Sequence, residues 1–174
     1  LALIMRINRV FARQVLNSRG SPTIEAIVFT KNGAFSGASP SGVSTGEKEA
    51  VQLSDGGKKF SGLGVQKAVK LANTIIAKKI VGAGFGTQKE FDEFLIELDG
   101  TKNKTKLGAN ATLTVSQAVC EVAAAAMELP TYLYLAWKYR GLQKLDKLPT
   151  PIFNIINGGK HGAGNLDFQE FHII

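Results

Sequence analysis

The sequence predicts an α+β domain followed by the beginning of a second unit. Residues 6–38 have extended character, with clear alternation over residues 23–29, and apolar residues then recur at helical spacing between residues 65 and 140. Strands that precede a run of helices are typical of α+β domains. Pro149-Thr150-Pro151 interrupts the helical pattern, and two short apolar runs follow it. We therefore expect one domain over residues 1–148 and a second, incomplete unit over residues 149–174.

The strand pattern predicts a three-stranded antiparallel meander. Residues 6–16 have extended character, and a turn-rich segment ends them. The clearest strand covers residues 23–29, in which apolar side chains stand at alternate positions. Asn32-Gly33 is a dipeptide favoured in tight hairpins, whose two central residues take positive φ. Residues 34–38 return as the third strand.

Four helices are predicted after the sheet. Residues 65–80 carry an apolar stripe with a 3.6-residue period. Thr87 and Glu90 have the spacing of a capping box at the start of the second helix. A third, alanine-rich helix begins at Asn110, and its small side chains indicate close packing against a neighbour. A fourth helix covers residues 131–140, directly after a proline.

Composition excludes several classes of function. The net charge of +7 and the pI near 9.6 would suit a nucleic-acid partner, but the lysines are scattered and no basic stripe carries aromatic residues. We therefore expect no nucleic-acid binding. A single cysteine rules out an internal disulfide framework. No apolar run has the length of a secretory signal core or a membrane span, so we expect a cytoplasmic protein.

The loop from Pro40 to Gly46 is the first candidate site. It combines small residues with the hydroxyl groups of Ser41, Ser44 and Thr45. Such a loop is sterically open, and its hydroxyl and carbonyl oxygens are ligands of the kind that Mg²⁺ takes. The same composition also fits a plain connection between a strand and a helix, so the loop alone leaves both interpretations open.

The segment from Asn157 to Phe171 is the second candidate site. His161 lies in a glycine-rich loop between the two apolar runs, residues 152–156 and 168–174, which we expect to be buried strands. Glu170 follows nine positions after His161 and is flanked by apolar residues. A buried carboxylate is costly unless it is paired or functional, and burial raises its pKa toward the range of a general acid or base. An outward-facing Glu170 on an edge strand is the alternative.

Six segments, taken together, resemble the enolase family in order and in spacing, over essentially the whole chain. These segments are Ala12–Thr23, Pro40–Gly46, Leu98–Thr101, Lys106–Ala111, Asn157–His161 and Gln169–Phe171. The resemblance implies an enolase N-terminal domain followed by the first two strands of a TIM-type barrel. It also implies a Mg²⁺-dependent lyase that interconverts 2-phosphoglycerate and phosphoenolpyruvate in glycolysis and gluconeogenesis.

The resemblance assigns roles to residues by position. Ser44 resembles the serine that ligates the second Mg²⁺, and the loop around it resembles a lid (Ser41, Gly42, Val43, Thr45 and Gly46). His161 resembles the active-site histidine near the substrate phosphate. Glu170 resembles a glutamate that helps the hydroxyl group to leave, and Gln169 lies beside it as a substrate-binding residue. Arg13 and Glu25 resemble residues at the interface of the family's homodimer, which implies a homodimer or a higher homo-oligomer.

The chain also departs from the family. Ser54, Leu63, Thr112, Thr114 and Asn17 replace residues that are commoner in enolases, which indicates a divergent member. About 25 barrel positions are present, whereas a complete barrel takes roughly 250 residues. We therefore expect a fragment that is inactive alone, with three acidic metal ligands and a lysine base located beyond Ile174.

Three other interpretations make different demands on the sequence. A non-catalytic module derived from the N-terminal domain would need a partner that covers residues 152–174. A racemase or cycloisomerase of the wider barrel superfamily would lack the Ser44 lid. A phosphate-binding loop at residues 61–64 would need the lysine-serine ending of a P-loop and a preceding parallel strand, and the sequence has neither.

Overall fold

A computed structural model describes residues 5–40, 46–141, 147–159, 162–164 and 166–174. The chain forms two compact units, residues 1–135 and residues 136–174. The domain division at residues 148 and 149 stays a prediction. None of the helices in these described ranges is long and apolar enough to cross a membrane.

The first unit contains the predicted meander. Strands β2 (Arg9–Leu16), β3 (Pro22–Thr30) and β4 (Gly33–Ala38) form an antiparallel sheet in the order β2-β3-β4. Two further short strands, β1 (Met5–Arg6) and β5 (Gly84–Phe85), pair with each other in a separate sheet. The expected extended segment over residues 6–16 is therefore divided between two sheets.

The predicted hairpin turn is shifted by one residue. Gly33 is already paired with Thr30, so the connecting residues are Lys31 and Asn32. Neither of them has positive φ, whereas Gly33 has a φ of 134°. The Asn32 amide donates to Thr30 Oγ1 at 3.1 Å, and this local hydrogen bond supports the turn. The prediction of positive φ at the two central residues is wrong because glycine takes that conformation at the first position of β4 instead.

All four predicted helical regions are helical. The first contains α1 (Gln66–Leu71), a π-helical turn (Ala72–Ile76) and α2 (Ala77–Ile80). The others are α3 (Gln88–Asp99), α4 (Ala109–Ala126) and α5 (Thr131–Arg140), and a short 3₁₀ helix covers Lys59–Gly62.

The π turn carries a side chain that protects the outer edge of β2. Asn73 Oδ1 accepts from the Ala12 amide, and Asn73 Nδ2 donates to the Ala12 carbonyl, both at 2.8 Å. Strand β2 lies at the edge of its sheet, so the amide and the carbonyl of Ala12 that bond to Asn73 have no strand on that side. Asn73 thus takes the place of a neighbouring strand at this residue of the sheet edge.

Side chains define the ends of the helices. Thr87 Oγ1 accepts from the Glu90 amide at 3.1 Å, as the capping box requires. The Glu90 carboxylate reaches the Gly86 amide at 2.8 Å, one residue earlier than in a standard box. The two carboxylate oxygens of Asp55 accept from the amides of Gln66 and Lys67 and cap α1. Because a carboxylate occupies this helix terminus, the phosphate-loop interpretation of the preceding glycines does not hold.

The core of the first unit lies between one face of the meander and the helices. Buried residues from β2 and β3 pack with the helix over residues 66–80 and with α4. Helix α4 approaches β4 so closely that a Cβ atom on Gly37 would lie 2.4 Å from the carbonyl oxygen of Thr114. The alanine-rich sequence of α4 therefore serves the close packing that was predicted. Thr114 is itself buried, and its hydroxyl lies 3.4 Å from the carbonyl of Ile24.

The second unit contains an antiparallel pair, β6 (Phe153–Asn157) and β7 (Glu170–Ile173). Every residue of both strands is exposed in this chain. The expectation that these runs are buried is therefore wrong for the chain as described, because no described element of the second unit covers them.

Candidate active site

Several of the predicted site residues lie outside the described part of the chain. These are Ser44, the lid residues Ser41, Gly42, Val43 and Thr45, and His161. Gly46 is described: it is exposed, and its carbonyl accepts from the Glu49 amide at 3.1 Å. The geometry of the second candidate segment rests on Glu170, Gln169 and their neighbours.

Glycines shape the loop that joins β6 to β7. The Gly158 amide donates to the Gln169 carbonyl at 2.8 Å, and the Gly159 amide donates to the Leu166 carbonyl at 2.9 Å. A Cβ atom on Gly158 would lie 2.2 Å from the Phe168 carbonyl oxygen, and one on Gly162 would lie 2.4 Å from the Asn157 carbonyl oxygen. A side chain at either glycine would therefore force the backbone of the loop apart.

Glu170 begins β7 and lies directly opposite Asn157 at the end of β6. Its Oε2 atom is 3.0 Å from Nε2 of His172. The two residues are two positions apart on one strand, so their side chains share a face of the hairpin. A carboxylate hydrogen-bonded to an imidazole is a pair that can hold or transfer a proton.

A β-bulge brings two asparagines to the same face. Asn157 is paired with Glu170 and Asn154 with His172, although the asparagines are three positions apart and their partners only two. The ladder is irregular between Asn154 and Ile156, where Ile155 is one residue more than β7 has. This extra residue puts both asparagines on the same face of the hairpin. Asn154 Nδ2 donates to Asn157 Oδ1 at 2.7 Å. We call Asn154, Asn157, Glu170 and His172 the polar face of the hairpin.

The opposite face of the same hairpin is apolar. The paired residues there are Phe153 with Ile173 and Ile156 with Phe171. Phe171 also makes an edge-on contact with Phe168, with ring centroids 6.0 Å apart. The sequence pattern indicated Glu170, but it gave no role to His172, Asn154 or Asn157. Alternation on β7 could have identified His172, whereas the asparagines require knowledge of the bulge.

The described residues do not form a complete metal site. Within the described ranges, no group of three or more His, Cys, Asp or Glu side chains could hold a metal ion. The polar face supplies one carboxylate with amide and imidazole groups around it. The hydroxyl oxygen of a serine at position 44 suits Mg²⁺ in its chemistry, but a full set of hard ligands would need additional carboxylates.

Arg13 and Glu25 form an ion pair within the first unit. They are directly opposite each other in the β2–β3 ladder, and Arg13 Nε lies 2.6 Å from Glu25 Oε2. The side chain of Arg13 is 54% exposed. On the same outer face, the Arg9 guanidinium lies 5.4 Å from the centre of the Phe29 ring. This face combines charge with apolar surface, as protein interfaces often do.

The fold and the candidate site define a class of protein: an α+β domain that precedes a hairpin with a carboxylate at the start of a strand. Comparisons with known proteins then identify the family. The family model for the enolase N-terminal domain matches residues 7–135, and the model for the enolase C-terminal TIM barrel domain matches residues 146–174. The chain belongs to the enolase family.

A curated relative gives the extent of the similarity. The chain is 50% identical to the enolase of Pyrococcus furiosus over 165 residues, which are 95% of this chain and 37% of that protein. The chain therefore spans a little over one third of the length of this relative.

Proposed function

We propose that this chain forms part of an enolase, a lyase that interconverts 2-phosphoglycerate and phosphoenolpyruvate in glycolysis and gluconeogenesis. The observation that carries the proposal is the 50% identity to an enolase over 95% of the chain, with both enolase domains matched in their order. Since the chain spans 37% of that relative, we propose that activity requires barrel residues beyond it.

Glu170 is the proposed acid–base residue within this chain. Dehydration removes a hydroxyl group, which must gain a proton or a hydrogen bond as it leaves. The position of Glu170 at the first residue of β7, beside the glycine-rich loop, supports this role. Gln169 and His161 are proposed to bind substrate, with His161 near the phosphate. The hydrogen bond from the Gly158 amide to the Gln169 carbonyl holds Gln169 close to the glycine-rich loop.

The lid and its metal ligand belong to the same proposal. The loop over residues 41–46, with Ser44 as a Mg²⁺ ligand, is proposed to close over the substrate. A divalent cation held there would supply positive charge to the carboxylate of the substrate. Closure by small residues would exclude water, which strengthens each electrostatic contact inside the site.

We further propose that the enzyme is cytoplasmic and assembles as a homodimer or a higher homo-oligomer. The outer face of the meander supports an interface, because it carries charged and aromatic side chains together. Arg13 and Glu25 are the proposed interface residues. Their pairing within one subunit fixes both side chains in place before a second subunit could bind.

The proposal is tested with the natural-length protein that contains this chain. Purified protein is given 2-phosphoglycerate and Mg²⁺, and the formation of phosphoenolpyruvate is followed by its ultraviolet absorbance. We expect Glu170→Gln to lower kcat by about a hundredfold or more, because an amide cannot donate or accept the required proton. We expect Ser44→Ala to raise the Mg²⁺ concentration needed for half-maximal rate.

Glu97→Gln provides a matched control, since it makes the same chemical change at an exposed position of α3. It should leave kcat within about threefold of the unmodified enzyme. The absence of phosphoenolpyruvate formation by the unmodified natural-length protein would disprove the proposed activity. Normal turnover in Glu170→Gln would remove only that residue from the mechanism.

A further inference from the structure

We infer that His172 is a positioning residue for Glu170, and that the bulge of β6 completes its surroundings with Asn154 and Asn157. The inference rests on the proposed function, because it concerns the carboxylate to which that function assigns the acid–base step. It gives a role to three residues to which the family resemblance assigned none.

The geometry of β7 places the two side chains together. Glu170 and His172 share one face of the strand, and Nε2 of His172 lies 3.0 Å from Oε2 of Glu170. An ionised carboxylate can only accept hydrogen bonds, so we assign the proton in this contact to Nε2 of His172. The imidazole thereby fixes one carboxylate oxygen and limits the rotamers of a long, flexible side chain.

The facing strand supplies the remaining polar groups. Asn157 and Asn154 lie opposite Glu170 and His172, and their own side chains are joined at 2.7 Å. Without the bulge, residues three positions apart would point to opposite faces, and only one asparagine would reach the polar face. Bulges of this kind redirect side chains beside active sites. All four polar residues of the hairpin strands thus lie on one face, and the apolar residues that pair across the strands lie on the other.

The test compares three variants of the natural-length enzyme. In His172→Leu we expect kcat to fall about tenfold or more while KM stays within about threefold, because the carboxylate loses its orientation and not its contact with substrate. His172→Gln keeps a terminal N–H donor at a similar reach, and it should recover most of that loss. Ile173→Val, a control from the apolar face of the same strand, should leave both constants within about threefold.

Several outcomes overturn the inference. Normal kcat in His172→Leu overturns it, and so does an equal loss in His172→Gln and His172→Leu, which would indicate a structural role alone. If His172→Leu does not fold, nitrogen NMR of the unmodified enzyme decides: the neutral imidazole should carry its proton on Nε2, and a proton on Nδ1 contradicts the inference. If the unmodified enzyme is active and loses activity in Glu170→Gln but not in His172→Leu, this inference alone is overturned. If the unmodified enzyme is inactive, the proposed function and the inference are both overturned.

Discussion

Replacement of Asp99 by asparagine tests how the end of α3 is stabilised. Asp99 is the last residue of the helix, and the residue is 1% exposed. Its Oδ1 atom accepts from the amide and the hydroxyl of Thr101, and its Oδ2 atom accepts from the buried Leu107 amide at 2.7 Å. One carboxylate thus fixes the whole segment that leads from α3 toward α4.

The expected loss of stability follows from counting these partners. Asparagine offers one acceptor oxygen, so either the Leu107 amide or the two donors of Thr101 must face an amide group that cannot accept. An orphaned buried donor costs about 1–3 kcal/mol, and the bonds that remain lose the strengthening that the charge supplies. We expect Asp99→Asn to lower the free energy of unfolding by about 2–4 kcal/mol.

The effect should depend on pH in a defined direction. Burial alone would raise the pKa of the Asp99 carboxyl, but the hydrogen bonds from Thr101 and Leu107, with the charge of Lys104, lower the pKa below its usual value. A lowered pKa in the folded state adds stability above the unfolded-state pKa, and this stability is lost as the pH falls through the folded-state pKa. The difference between the two proteins should therefore be largest near neutral pH and shrink below about pH 4.

Urea unfolding followed by circular dichroism measures this difference at several pH values. Glu97→Gln is the control, because it removes the same charge from an exposed position on the same helix, and it should change stability by less than about 0.5 kcal/mol. A loss of stability in Asp99→Asn that stays constant from pH 7 down to about pH 3 would refute the role of the charge.

Two further predictions concern packing and reactivity. Gly37→Ala should destabilise the protein by about 1–3 kcal/mol in the same urea assay, because the added Cβ would lie 2.4 Å from the Thr114 carbonyl and 2.8 Å from the Ala118 amide nitrogen. An unchanged unfolding midpoint would mean that α4 can move away from β4 at no cost. Burial and the nearby carboxylates of Glu121 and Asp92 raise the pKa of the Cys120 thiol to about 11. Alkylation at about pH 8 should therefore be at least about tenfold slower than that of a free thiol, and it should become fast in urea; equal rates would contradict the raised pKa.

Local patterns were sufficient for most of the first unit. Alternation predicted β3 and the meander, because a one-sided sheet needs its apolar residues at every second position. The Thr87 cap and the 3.6-residue spacing of apolar residues predicted the helices, because both patterns involve residues that are close together in the sequence. Long-range contacts were not predictable in this way: β1 pairs with β5 across nearly eighty residues, and the π turn exists together with the contact of Asn73 to Ala12. Neither contact has a signature in neighbouring residues.

The candidate site was only partly predictable, and the hairpin shows why. Read along the chain, β6 is Phe-Asn-Ile-Ile-Asn, and a three-residue spacing of polar residues does not indicate a strand with two faces. The register with β7 explains the three-residue spacing, because one isoleucine of β6 lies in the bulge. The remaining residues of β6 then form a polar face and an apolar face. The apolar runs had suggested buried strands, and they left open whether Glu170 was buried or faced outward from an edge strand. Instead, Glu170 is one of four polar residues on a single face, and the apolar residues that pair across the strands lie on the other.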